Sequence, residues 1–244
     1  MLSWIRRNPP QHKGRLTPEF DRVYHYHIRK TAGSSLNAAF LSAFAGKRVT
    51  VKALAGAPKH RIAGEIGPAV GWNERLIKAG SFAYAFSHSP FHSLKVPAKT
   101  CTFTVFRDPV ERAYSHFLML KGYIENGVDH PCLASEGDWA KGDFADFIAS
   151  ADRDHLLRQL FMFSENFDVD EAVEAVSSLD QVGFFHELGN LLESAQALFS
   201  VDLPMRHENR SLSRKKLSAE KLAAFRPHFE PEYEMLVKIR ERKG

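Results

Sequence analysis

The chain has 244 residues, 44% hydrophobic and 25% charged, with a formal net charge of +4 and two cysteines. This is a globular composition, long enough for one large α/β domain with its own core and short for two; it holds no disulfide framework, which implies a reducing, cytoplasmic setting, and no run near the ~20 apolar residues of a membrane span. The small basic excess suits anionic ligands such as phosphates or sulfated glycans, although a solvated basic surface explains it equally; nucleic acid is not expected, because no basic stripe with interleaved aromatics occurs.

Residues 1–21 read as a loose arm with no secretory apolar run, and 22–244 as a single domain. Arg22–Ile28 is rich in strand formers, and Arg29–Ser35 follows as a turn. Leu36, Ala39, Phe40, Ala43 and Phe44 then share a helical face, with Gly46 as a stop. Val49–Leu54 reads as a second strand. Phe82–His88 and Thr100–Phe106 are nearly continuous apolar runs, as in buried parallel strands. Asp108, Pro109 and Glu111 give a capping box with proline at the first helical position, and the helix runs towards Gly122. The stretch 127–142 reads as a long loop, and 143–163 and 168–179 as helices. Gln181–Phe185 is a short strand before a helix over 187–199, and two further helices start near Ser218 and Pro231. Alternating strands and helices predict an α/β fold, a parallel sheet flanked by helices on both faces. Ligands of such sheets bind beyond the carboxyl ends of the strands.

Two segments fall at that edge. Arg29-Lys30-Thr31-Ala32-Gly33-Ser34-Ser35 joins a strand to a helix. Its small residues let the backbone approach an anion, the helix start offers free N–H groups, and Lys30 adds a charge. Thr31, Ser34 and Ser35 offer hydroxyls. The G-x-x-x-x-G-K-[ST] pattern of a nucleotide-kinase loop is absent, and an ordinary strand-to-helix turn reads the same way. The second segment, Phe106-Arg107-Asp108-Pro109-Val110-Glu111-Arg112-Ala113-Tyr114-Ser115-His116-Phe117, puts Arg107 at a strand end and Ser115 two turns along the helix. Arginine and serine together can grip a phosphate. A capped helix with a surface ion pair from Glu111 to Arg112 or Lys121 is the plainer alternative.

The first segment resembles the 5′-phosphosulfate loop of sulfotransferases, and the second resembles their 3′-phosphate motif. Within that family the chain looks like the carbohydrate branch related to heparan sulfate 2-O-sulfotransferase. Ser87-His88-Ser89-Pro90-Phe91, Arg158-Gln159-Leu160, Val182-Gly183-Phe184 and Asn209-Arg210-Ser211 fall in the expected order, so the likeness spans roughly residues 22–240. Arg29 stands where the family usually has proline.

The resemblance implies a P-loop-kinase-like sulfotransferase fold, 3′-phosphoadenosine 5′-phosphosulfate (PAPS) as donor, adenosine 3′,5′-bisphosphate (PAP) as product and no metal. It implies that Arg29, Lys30, Thr31, Ala32, Gly33, Ser34 and Ser35 cradle the 5′ end, that Arg107 and Ser115 hold the 3′-phosphate, and that Arg210 touches the nucleotide. Lys30 would stabilise the leaving group. His88, at the strand end and matching the family histidine, would be the general base for a hydroxyl acceptor, with carbohydrate favoured. His92 is the reserve, and a structural role for either ring reads equally from the residues. His25 and His27, i and i+2 on a strand face, lack a third ligand at metal spacing and read as structural. Trp72 and Trp139 read as core, Trp139 with a sugar platform as the alternative. A nucleotide kinase, or a non-catalytic protein that binds nucleotides or anionic glycans, are the competing functions.

Overall fold

The structure is a computed structural model that describes residues 14–203 and 217–243. Strands β1 (Arg22–Tyr26), β2 (Arg61–Ile62), β3 (Ala69–Gly71), β4 (Tyr84–Ser87), β5 (Thr100–Phe106) and β6 (Gln181–Phe184) form one sheet in the order β2-β3-β4-β1-β5-β6. Every pairing is parallel except β2 with β3. The described helices are α1 (Gly33–Ala45), α2 (Val51–Ala55), α3 (Glu74–Lys78), α4 (Pro109–Glu125), α5 (Leu133–Glu136), α6 (Phe144–Ser150), α7 (Arg153–Leu156), α8 (Arg158–Phe161), α9 (Val169–Ser177), α10 (Leu188–Phe199), α11 (Ala219–Phe225) and α12 (Glu230–Lys243). None is long and apolar enough to cross a membrane.

The strands alternate between two cores. Tyr24, Tyr26 and Ala85 meet Val110, Ala113 and Phe117 of α4 with Met235 and Ile239 of α12. Val23, Phe86, Phe103 and Val105 meet Leu36, Phe40 and Phe44 of α1 with Leu191 and Ala195 of α10. Each fully buried Leu or Phe contributes about 1.5–3 kcal/mol, so both faces hold the central strands. The α/β class with a flanked, mostly parallel sheet is as the alternation of elements predicts.

Several expected elements differ. Val49–Leu54 is not a strand: Thr50 caps α2 by accepting from the Ala53 N–H at 3.1 Å. The place beside β4 is taken by β3, and exposed Lys52 and Ala53 leave this stretch only a one-sided apolar face. β2 and β3 have two and three residues, too few to carry a period. The expected loop over 127–142 holds α5 and a 3-10 turn at Gly137–Ala140. The expected helix over 143–163 breaks where Ala151 turns extended, with φ −69 and ψ 140. The capping box of α4 is half made. Asp108 accepts from the Glu111 N–H at 2.9 Å, but the Glu111 carboxylate turns to Arg107, at 3.1 Å, rather than back to the cap or to Arg112 or Lys121.

Helix α12 reaches into the sheet edge. Glu232, with no exposed surface, accepts from the Gln159 N–H at 2.6 Å, the Leu160 N–H at 3.2 Å and the Gln159 side-chain amide at 3.1 Å. Burial raises its pKa, and the equally buried Arg112 opposes that rise. Tyr233 donates to Asp108 at 2.6 Å. Glu232→Leu should therefore leave the buried N–H groups of Gln159 and Leu160 without an acceptor and lower urea stability by about 2–5 kcal/mol. Glu220→Ala, on the exposed start of α11, should stay within about 0.5 kcal/mol. Equal behaviour of the two variants would contradict the role given to Glu232.

Candidate functional site

β1 and β5 are central neighbours, so the loop after β1 and the residue after β5 meet at one sheet edge. The loop takes an uncommon path: Lys30 and Ala32 have φ of 72 and 71, the left-handed region that non-glycine residues avoid. Such strain persists only where surroundings enforce it. Here the Thr31 hydroxyl donates to the Ile28 carbonyl at 2.9 Å, and the N–H groups of Ser35 and Leu36 turn back to the Ala32 carbonyl at 3.1 and 3.2 Å. Ala32 supplies no capping side chain to α1, and no acidic residue lies in the first turn. The N–H groups of Ala32, Gly33 and Ser34 have no acceptor among the described residues. A left-handed residue followed by a helical one makes the concave arrangement of N–H groups that binds anions.

Lys30 is half-buried beside this turn. Burial first, then the Arg29 and Arg107 charges, bring its pKa down to about 8. It has no carboxylate partner among the described residues. Its two cationic neighbours do. Arg29 Nη1 lies 2.6 Å from Glu136 Oε1. Arg107 donates from Nε and Nη2 to Glu111 at 3.3 and 3.1 Å, and from Nη1 to the Lys30 carbonyl at 3.4 Å. Its ring neighbour is Phe185, 4.5 Å below the guanidinium. Arg107 thus ties the two strand ends together. Its guanidinium lies beside Glu111, one turn before half-buried Ser115 on the same stripe of α4.

Three histidine rings lie against one another behind the loop, His25–His27 stacked at 5.0 Å and His27–His88 tilted at 4.5 Å between ring centres. His25 and His27 are both tied through Nδ1 to Asn37 of α1, at 2.7 and 3.2 Å. His88 Nδ1 donates to the His27 carbonyl at 2.8 Å, which leaves Nε2 as the acceptor nitrogen. Arg158 fixes the His88 carbonyl at 2.8 Å. Burial, with the Arg29 and Arg158 charges, lowers the His88 pKa to about 4, against the hydrogen bond to the His27 carbonyl. The ring is neutral at physiological pH, and its titration lies well below the ordinary histidine value of about 6.5. His92 is elsewhere: its Nε2 donates to the Phe161 carbonyl at 3.2 Å.

The sequence gives no signal for Glu136, which lies in the expected loop. Besides Arg29 it accepts from His116 Nε2 at 2.7 Å, and His155 Nδ1 is 3.9 Å away. Burial acts to raise its pKa, but the bonds from His116 and Arg29 outweigh it and hold the group at about 2. These three side chains bring possible ligand atoms within 4.8 Å of one another. The guanidinium on the carboxylate already supplies the countercharge, so the set does not fit a metal ion. Arg29 is therefore spent on Glu136 rather than on the cradle, and the Thr31 hydroxyl on Ile28. Trp139 is buried against Phe147 and His155 and offers no sugar platform. Trp72 is half-buried, with its ring centre 6.4 Å from that of His88. Asn209, Arg210 and Ser211 lie outside the described residues. A groove between β6 and α10, lined by Gln181, Gly183, Phe184, Asn190 and Ser194, contains none of the expected site residues. Neither protein-family models nor curated proteins give a match to this chain.

His25 and His116 have no or almost no exposed surface, and burial lowers each pKa to about 3. In the unfolded chain both protonate near the ordinary value of about 6.5, so below that pH the unfolded state takes up protons that the folded state refuses. Stability should fall by about 2 kcal/mol per histidine between about pH 6.5 and 5. Denaturant titrations across this window check it. A flat profile would mean that these rings accept protons in place.

Proposed function

We propose that the protein is a PAPS-dependent sulfotransferase that transfers a sulfuryl group to an acceptor hydroxyl, with a carbohydrate as the favoured acceptor. The observation that carries this reading is the half-buried Lys30 without a carboxylate, set against an uncapped helix start and one strand away from Arg107. The likeness of the two segments to the 5′- and 3′-phosphate motifs supports the donor. The flanked parallel sheet suits a P-loop-kinase-like fold.

In this reading the S–O bond to the 5′-phosphate breaks, the acceptor oxygen takes the sulfur, and the acceptor proton goes to a base. The N–H groups of Ala32, Gly33 and Ser34 and the Lys30 ammonium hold the 5′ end, and Lys30 meets the charge that develops on the leaving oxygen. Arg107 exchanges Glu111 for the 3′-phosphate, with Ser115 as a further donor on the same stripe. His88 Nε2 accepts the acceptor proton. A base with a pKa of about 4 is weak, and that observation favours the alternative of a non-catalytic protein binding the same nucleotide; a transfer assay with labelled donor separates the two.

Three outcomes are expected. PAP should raise the melting temperature more than ATP with magnesium does, since selective binding stabilises by mass action; equal stabilisation would favour a general nucleotide site. Arg107→Ala should weaken PAPS binding by about 1.5–3 kcal/mol more than binding of adenosine 5′-phosphosulfate, which lacks the 3′-phosphate. Equal losses would assign Arg107 to holding the Lys30 carbonyl. His88→Ala should lower turnover by about 10²–10⁴ while keeping donor affinity. The ascending limb of kcat/KM in the wild type should lie near pH 4, because the base must be neutral and its pKa is about 4. Unchanged turnover in the variant would move the base to another residue, with His92 tested next.

A further inference from the structure

His27 was read from sequence as structural, yet only part of its ring is used that way. The residue is 7% exposed. A Cβ built on Gly33 would lie 1.7 Å from its Nε2 and 2.0 Å from its Cδ2. The imidazole therefore fills the notch that a side chain at the first residue of α1 would occupy. Glycine at position 33 serves this ring.

The surrounding network fixes the proton. Asn37 Oδ1 accepts from the Tyr84 hydroxyl at 2.8 Å and from His25 Nδ1 at 2.7 Å, which turns the Asn37 amide nitrogen to His27 Nδ1 at 3.2 Å. The reverse orientation of Asn37 would bury the Tyr84 hydroxyl hydrogen without an acceptor. Since His27 Nδ1 accepts, its proton sits on Nε2. That N–H has no partner among the described residues, and it is not sealed in the core as Nε2 of His25 is. It points to the opening turn of α1, beside the free N–H groups of Ala32, Gly33 and Ser34.

We infer that His27 is a further ligand residue of this site: its Nε2–H donates to an oxyanion of the phosphate or sulfate class bound at the start of α1. The inference rests on the anion-binding part of the function proposed above and not on the transfer step. It gives the half-buried ammonium and the backbone donors a neutral, rigid partner from below, held by Asn37. A neutral donor there orients an anion without adding to the cation cluster.

The test is a long-range ¹H–¹⁵N spectrum of the histidine rings of the full chain, titrated with PAP and separately with inorganic sulfate. The expected result is a protonated Nε2 on His27 in the free protein, with shifts of that N–H that saturate together with PAP binding measured by calorimetry. His27→Phe should bind PAP about tenfold to hundredfold more weakly, and His228→Ala, at an exposed position, should bind it normally. If His27→Phe fails to fold, the wild-type spectrum alone decides. Saturating PAP that leaves the His27 resonances unmoved, or a proton found on Nδ1, overturns the inference and leaves the proposed function standing. Sulfate that shifts the His27 N–H while PAP does not bind sustains the inference and removes the nucleotide reading. Failure of both anions to bind overturns it.

Discussion

Taking an ammonium group partly out of water costs free energy unless an opposite charge meets it. Lys30 is placed in that situation by the loop after β1. Arg29 and Arg107 flank it, and each of them has its own carboxylate, Glu136 and Glu111. Lys30 has none, and its lowered pKa is the electrostatic record of that imbalance. The N–H groups at the start of α1 face the same way with no side chain to cap them. One surplus cation and a set of free donors share a strand edge, so the anion they lack defines the site.

The rest of the fold holds this arrangement in place. Parallel pairing of β1 with β5 sets the two strand ends side by side. Arg107 bonds to the Lys30 carbonyl and helps hold a backbone that would otherwise leave the left-handed region. The Arg107 N–H is held by Gln159, and Gln159 by Glu232, so the C-terminal helix fixes the main chain of a residue far away in sequence. Arg29 docks the short helix α5 onto the loop through Glu136. Arginine at position 29, where the resembled family usually has proline, has a structural use here.

The main elements were legible because their signals are local. Thr100–Phe106, with Cys101, Phe103 and Val105 on one face and Phe106 at its end, is an inner strand, buried throughout. Asp108-Pro109 starts α4 as written, and Gly46 ends α1 in the left-handed region. The meeting of the Lys30 loop with Arg107 followed from the strand-end rule for parallel sheets. What could not be read depends on distant partners. Val49–Leu54 has strand-like composition, but the place beside β4 belongs to β3. Glu111 suits a capping box, and only the position of Arg107 decides where its carboxylate goes. Glu136, Gln159 and Glu232 are ordinary polar residues in sequence, and their roles come from burial. The low basicity of His88 has the same origin: burial first, then two guanidinium groups that come from a loop and from α8.

The most direct measurement of the central claim is the ionisation of Lys30 itself, followed by ¹³C NMR of lysine Cε in the free protein and with PAP bound, and assigned with Lys30→Arg. The pKa should be about 8 in the free protein and should rise by at least about one unit, 1.36 kcal/mol, when the anion supplies the missing countercharge. An ordinary lysine value in the free protein, or a depressed one that PAP binding leaves unchanged, would contradict the assignment of Lys30 to an anion site.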